Sequence, residues 1–391
     1  MSAPDFAGLA AIAPARLEYW LRDRYFDART DISSSGVENY TLGDLRELAG
    51  VDLADLAALP FRDSPSTGAA PLREAIARHI GVPDPERVAV GHGSSESMFL
   101  ALSALIRPGD EVVTVRPAYQ SLWSIAEALG ARLVEWPLDG DADFAPDLDR
   151  LAGLLTERTR AVVVNFPHNP TGVTLDETGF RRLLDLVDRH GCHLFWDGAS
   201  TMLTYEAPPL PDPTTLIERC VSFGTLSKAY GLPGLRLGWT VAPPALIDDM
   251  VRLRDYLTLS TSPLSEAIAT AVLENADAVL APQLRRARLG REVLAAWLAD
   301  NADLFACALP AGGVVALPRV RGVADVEPHC EALLAEHGVL VVPGSCFDHP
   351  DRMRVGFGCD TAVLERGLEV LAHTFRDVVT GSGAHPERGT S

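Results

Sequence analysis

Seven short, β-rich apolar runs punctuate the middle of the chain: Val88–Val90, Val112–Val115, Leu133–Trp136, Ala161–Asn165, His193–Trp196, Cys220–Phe223 and Leu237–Val241. Segments of helical period lie between them. Leu72, Ile76 and Ile80 fall at i, i+4 and i+8, and Leu183, Leu184 and Val187 mark an apolar face in a segment that begins near Asp176. Strands alternating with helices in this way build βαβ units, so the pattern predicts an α/β fold with a mainly parallel sheet. Pro108-Gly109-Asp110 and Pro243-Pro244 supply turns, and Pro117 follows a strand directly.

After about Pro263 the pattern changes. A long helical stretch carries Leu284, Leu289, Val293 and Leu294 among arginines and acids. A mixed segment follows, with strands expected at Phe305–Leu309, Val314–Leu317, Val339–Val342 and Met353–Phe357 and helices near Val326–His337 and Thr361–Phe375. This predicts a second, smaller α/β domain. The expected division is an N-terminal arm over residues 1–45, a large domain over 46–280, a small C-terminal domain over 281–379, and a Gly-, Ser- and Pro-containing tail over 380–391 expected to be disordered.

At ~150 residues per domain, 391 residues predict two or three domains, and 47% apolar with 22% charged residues is a composition that folds. The 34 basic residues stand against 53 acidic ones, a formal charge of −19. Such a surface repels phosphate backbones and anionic lipid, which argues against nucleic acid and membrane as partners. There is neither an apolar run of about 18 residues nor a signal-type start over Met1–Ala15, so the cytoplasm is the expected compartment. The six cysteines are sparse and never spaced C-x-x-C, as in reduced proteins. No metal is expected. His329, Cys330, Glu331 and His337 share a predicted helix, but histidines eight residues apart stand about 12 Å apart at 1.5 Å per residue.

The lysine count changes the picture most. Lys228 is the one lysine of the chain, and the other 33 basic residues are arginine. Arginine replaces lysine in solvated ion pairs, but it is not deprotonated to a nucleophilic amine. Lys228 is therefore a candidate catalytic amine before any motif is considered.

Four constellations surround that candidate. Thr225-Leu226-Ser227-Lys228-Ala229-Tyr230-Gly231-Leu232-Pro233-Gly234-Leu235-Arg236-Leu237-Gly238 places the lysine among hydroxyls, glycines and an arginine, a set suited to holding a phosphate beside a Schiff-base amine. Asn165-Phe166-Pro167-His168-Asn169-Pro170-Thr171-Gly172 closes a strand at the end where open α/β sheets bind ligands, although the same residues are ordinary turn-formers. Phe195-Trp196-Asp197-Gly198 ends an apolar strand on a carboxylate that either is solvated or pairs with a buried cation. Gly91-His92-Gly93-Ser94-Ser95-Glu96 joins a strand to an apolar helix, where amides and hydroxyls make an anion site; with only two glycines of G-x-G-x-x-G it is a weak dinucleotide motif.

Taken in order, these four resemble the fold-type I pyridoxal-phosphate (PLP) enzymes of the class I/II aminotransferase superfamily, over roughly Asp31 to Val370. The resemblance implies that Lys228 bonds to the cofactor and moves the substrate Cα proton, while Asp197 pairs with the pyridinium nitrogen. It implies a phosphate cup of Ser94, Ser95, Thr225 and Arg236, a donor to the ring oxygen in Asn169, and a stacking ring in Tyr119. Arg354, in Met353-Arg354-Val355-Gly356-Phe357, looks like the grip on the substrate α-carboxylate, and a homodimer is implied. Two features depart from the general pattern. Asp197-Gly198-Ala199-Ser200 stands where aminotransferases usually carry Asp-Glu-x-Tyr, and Phe61-Arg62-Asp63-Ser64-Pro65-Ser66 lacks the usual tyrosine ahead of Gly68, Leu72 and Arg73.

A narrower resemblance lies in Asp31-Ile32-Ser33-Ser34-Ser35-Gly36-Val37, Phe166-Pro167-His168-Asn169-Pro170, Trp196-Asp197-Gly198-Ala199, Ser222–Tyr230 and Arg254–Ser260. These strings look like the capreomycidine synthase family and its streptothricin-pathway relatives, PLP cyclases of β-hydroxylated arginines in antibiotic biosynthesis. Gly36, His168, Glu38 and Asp63 are expected near the substrate, the two acids as candidate guanidinium partners. The resemblance thus implies β-elimination and ring closure on 3-hydroxy- or 3,4-dihydroxyarginine. The alternatives are an amino-acid aminotransferase using a keto-acid acceptor, and an aminotransferase-like regulatory domain without turnover; the last expects a basic DNA-binding segment that this acidic chain lacks.

Overall fold

The computed structural model describes Leu9 and residues 12–381. All seven predicted apolar runs enter one sheet. After a short N-terminal strand, β1 (Thr30–Asp31), these are β2 (Val88–Gly91), β3 (Glu111–Arg116), β4 (Arg132–Pro137), β5 (Thr159–Asn165), β6 (His193–Asp197), β7 (Cys220–Thr225) and β8 (Gly238–Val241), in the order β2-β8-β7-β6-β5-β3-β4. The pairs from β4 through β7 are parallel, and β8 runs antiparallel to both neighbours. The connection explains that reversal. Parallel neighbours need a crossover, commonly a helix, whereas β7 reaches β8 through the loop that carries Lys228. Helices cover the sheet, and β3, β5 and β7 are almost wholly buried, as strands covered on both faces must be.

The parallel register sets the site. Asn165 pairs with Asp197, Asp197 with Phe223, and Thr225 with Gly238, so the C-terminal ends of β5, β6 and β7 stand side by side. This is the edge at which open α/β sheets bind ligands.

The C-terminal part is built from small sheets and long helices. Ala276–Asp300 forms one 25-residue helix, so the boundary expected at 280/281 falls inside a continuous element. The strands are β9 (Phe305–Ala306), β10 (Val315–Ala316), β11 (Arg319–Val320), β12 (Val339–Leu340), β13 (Val342–Pro343) and β14 (Met353–Gly356); β11 was not expected, and the others are shorter than the apolar runs that predicted them. The single run Val339–Val342 is divided between two sheets. β12 pairs parallel with β1 and β13 antiparallel with β14, while the carbonyl of Val341 between them accepts the Trp20 indole N–H at 2.8 Å. The N-terminal segment is therefore woven into the C-terminal part through β1 and through α1 (Arg16–Asp27), a helix absent from the sequence reading. The final helix runs Thr361–Thr380 and ends on Gly381. The rest of the tail expected to be disordered, residues 382–391, lies outside the described residues.

Candidate active site

A cavity of about 400 Å³ opens over the C-terminal ends of β5–β7. Lys228, Ser94, Ser95, Tyr119, His168, Asn169, Asp197, Thr225, Arg236 and Arg354 all line it, although they come from segments scattered over 260 positions of the chain.

At one end, α2 (Gly93–Leu105) begins with its free amides at Gly93, Ser94 and Ser95. Arg236 leaves β8's entry in a left-handed conformation, φ 49°, and places its guanidinium beside Gly93, where a Cβ would stand 3.0 Å from Nη2. A Cβ at Gly238 would stand 2.5 Å from the Ser94 nitrogen, so the strand and the helix start approach closely only because that position is glycine. Helix amides, hydroxyls and a guanidinium make an anion cradle. The Thr225 hydroxyl sits at its edge, 3.0 Å from Ser227 Oγ.

Asp197 lies at the cavity floor. Desolvation raises its carboxyl to about 6, opposed by the Ala199 N–H, which donates to Oδ1 at 3.0 Å, and by the charge of Lys228. Asn165 ties the floor together: its Nδ2 donates to the Asp197 carbonyl at 2.9 Å and its Oδ1 accepts the Asn169 N–H at 2.8 Å. At the other end, Arg354 is 1% exposed and donates to Asn169 Oδ1 at 3.0 Å and to the Ser33 carbonyl at 2.8 Å. Its Nε is buried without a partner, and desolvation lowers the guanidinium to about 10. An unpaired donor in a buried fork is what a carboxylate satisfies.

Lys228 Nζ donates to Ser35 Oγ at 2.8 Å. Desolvation lowers the amine to about 8, helped by the positive charge of Arg354 and opposed by Glu18 and Asp197. A group lowered on folding binds fewer protons in the folded chain between about pH 8 and its unfolded value of ~10.4, so its contribution to stability rises with pH across that window. Below it the buried charge is a burden. Lys228→Met should therefore stabilise the cofactor-free protein at pH 7 by about 2–3 kcal/mol, an advantage that shrinks below about 1 kcal/mol at pH 10. Urea unfolding of both proteins at the two pH values measures it, and equal midpoints at pH 7 would contradict the burial of the amine.

Four expected substrate residues are corrected in role or place. His168 lines the cavity, but Nε2 lies 2.8 Å from the Pro117 carbonyl and Nδ1 2.7 Å from Thr171 Oγ1, and desolvation lowers the ring to about 4. A neutral imidazole with both nitrogens engaged has none left for a substrate. Gly36 packs behind the lysine loop, where a Cβ would stand 3.0 Å from the Ser227 carbonyl, and does not line the cavity. Glu38 is drawn away toward the final helix, its carboxylate accepting the Asp360 N–H at 3.1 Å. Asp63 is exposed and, within one chain, lines a separate cavity with Arg62, Ser64 and Glu266. Ser33, Ser34 and Ser35 and the α1 residues Leu17, Glu18, Leu21 and Tyr25 also line the cavity, and the sequence does not single them out. For α1 the signal was present in Leu17, Trp20 and Leu21 at i, i+3 and i+4.

A strand-end site with one cavity-lining lysine, a carboxylate and an anion cradle, on a large mainly parallel sheet with a smaller C-terminal part, defines a fold-type I PLP enzyme. Residues 61–371 match the family of class I and II aminotransferases, and the chain belongs to it. It is 52% identical over 374 residues to a capreomycidine synthase of Streptomyces vinaceus, covering 95% of this chain and 96% of that one. A probable N-succinyldiaminopimelate aminotransferase of Mycobacterium tuberculosis is 33% identical over 297 residues, 73% of this chain and 75% of that one. Among solved structures, the PLP-dependent cyclase OrfR shares 40% identity with a TM-score of 0.89, covering 94% of this chain and 98% of that one. An aminotransferase of Streptococcus suis reaches the same TM-score and the same coverage at 26% identity.

The cofactor is pyridoxal 5′-phosphate, and the residues present fit it. The cradle at Ser94, Ser95 and Arg236 suits its phosphate, the half-buried Asp197 suits a protonated ring nitrogen, and Lys228 is the amine between them. Asn169, with Oδ1 engaged by Arg354, has its Nδ2 as the donor for a ring oxygen.

Proposed function

We propose that this enzyme is a cyclase of β-hydroxylated arginine, acting on 3-hydroxyarginine or 3,4-dihydroxyarginine and forming a capreomycidine- or streptolidine-type ring in antibiotic biosynthesis. The observation that carries the reading is the 52% identity with a capreomycidine synthase across nearly the whole chain. Ser200 on the cavity wall, where aminotransferases usually carry a tyrosine, supports it. The working unit in this reading is a cytoplasmic homodimer.

Bound PLP supplies a cationic ring that takes up negative charge developing at the substrate Cα. The chain's own groups do the rest. Arg354 grips the α-carboxylate through its fork, with Nε as the vacant donor. Lys228, an amine held near pKa 8, takes the Cα proton at a pH where a solvated lysine would be almost wholly protonated. Asp197 would hold a negative charge for the ring nitrogen, and Tyr119 would be the side chain to pack against the ring. The Cβ–O bond breaks, hydroxide leaves with a proton as water, a guanidine nitrogen bonds to Cβ and loses its proton, and Cα regains one. Tethering nucleophile and electrophile in one molecule gives the closure a high effective molarity.

Incubation with each hydroxyarginine in the absence of any keto acid should give a product lighter by one water, retaining a ¹⁵N label at the α-amine and gaining deuterium at Cα in D₂O. Mass spectrometry reads all three. A keto-acid product whose formation depends on an amino acceptor would instead make the protein an aminotransferase.

A further inference from the structure

The proposed chemistry leaves one charge in the cavity without a partner. Among the described residues, the acids lining it are Asp197 and Glu18, and the lining lysine and arginines are Lys228, Arg236 and Arg354. A phosphate takes Arg236, an α-carboxylate takes Arg354, and the ring nitrogen takes Asp197. Glu18 remains. It belongs to α1, and its carboxylate accepts the Tyr119 hydroxyl at 2.8 Å. Its negative charge acts on both Lys228 and Arg354, which places it in the field of the reacting groups and not on a distant surface.

The docking of α1 sets Glu18, exposed in the single chain, along the lining of the cavity. Two residues earlier, the Arg16 N–H donates to Gln120 Oε1 at 2.9 Å and its guanidinium donates to the Ser345 carbonyl and to Asp348 Oδ1, both at 2.8 Å. Two residues later, Trp20 is buried and bonded to Val341. Pinned on both sides, the helix presents Leu17, Leu21 and Tyr25, at i, i+4 and i+8, to the cavity beside Glu18. An apolar wall leading to a carboxylate fits a chain of methylenes that ends in a cation. Tyr119 occupies one of the roughly four lone-pair positions of that carboxylate, which leaves room for a planar guanidinium to bind in a fork.

We propose that Glu18 recognises the guanidinium of the substrate side chain and selects cationic over neutral amino acids. The proposal rests on the arginine-class reading above. Arginine and citrulline separate the two, because citrulline puts an uncharged ureido group in the same place. Calorimetric titration of the PLP-loaded enzyme, without a keto acid, should show the wild type binding arginine more tightly than citrulline. Glu18→Gln should raise the arginine Kd about 10- to 100-fold, the range of a hydrogen bond to a charged group, and change the citrulline Kd less than about twofold. Unchanged citrulline and PLP affinities show that the variant is folded. If both amino acids weaken alike, or if arginine keeps its advantage in Glu18→Gln, the assignment of Glu18 is overturned while the arginine reading stands. If the wild type itself does not prefer arginine, the arginine reading fails and takes the proposal with it.

Discussion

Lys228→Ala should lower turnover by at least about 10³–10⁴-fold, because in the proposed reaction this residue both moves the Cα proton and anchors the cofactor. No other lysine can stand in, since the chain has none. The amine is also poised by its surroundings: desolvation brings it to about 8, and Ser35 accepts its hydrogen bond at 2.8 Å. Borohydride reduction of the loaded wild-type enzyme followed by peptide mapping should put the pyridoxyl label on Lys228, the α-amine being the one other primary amine. A label that maps elsewhere, or a variant with full turnover, would remove Lys228 from its role.

Asp197→Ala should cost about 10²–10³ in turnover at saturating PLP, the loss typical of removing a group that stabilises developing charge. The carboxylate is placed by strand register, beside Asn165 on β5, and is clamped through its own backbone by Asn165 Nδ2. In the proposed arrangement the carboxylate would hold the ring nitrogen protonated, and its removal would take away much of the ring's capacity to accept electrons from Cα. Arg236→Ala makes the contrast, because its guanidinium stands over the start of α2 at the phosphate end; the variant should chiefly raise the PLP Kd. Kinetics across a PLP titration separate the two effects, and near-wild-type turnover in Asp197→Ala would mean that the carboxylate does not face the ring nitrogen.

The central sheet was legible in the sequence because strands covered on both faces carry uninterrupted apolar runs, and β3, β5 and β7 are such strands. The edge strand β4 is largely uncovered yet was still found by its β-rich composition. The C-terminal strands were overextended because their apolar runs continue beyond the two to four residues that pair. α1 escaped notice for the opposite reason. Its apolar face, Leu17, Trp20 and Leu21 at i, i+3 and i+4, spans little more than one turn and is blurred by the exposed aromatics Tyr19, Tyr25 and Phe26. That Glu38 and Asp63 do not line the cavity of their own chain has a related cause, since nothing local distinguishes an acid that turns into a cavity from one that turns to a backbone N–H such as that of Asp360.

By itself the sequence determined the α/β class, the strands of the large sheet, and the single lysine that can be a candidate reactive amine, because these depend on neighbours along the chain and on what a side chain can do chemically. The tertiary structure alone decided that β8 runs against its neighbours, that Val339–Val342 serves two sheets, that both nitrogens of His168 are already engaged, and that Glu18 rather than Glu38 or Asp63 lines the cavity. Those outcomes hang on contacts such as Arg354 with Asn169 and Trp20 with Val341, between residues 185 and 321 positions apart. A carboxylate's partner is set by which groups packing brings within a few ångströms of it, and chain proximity carries no information about that.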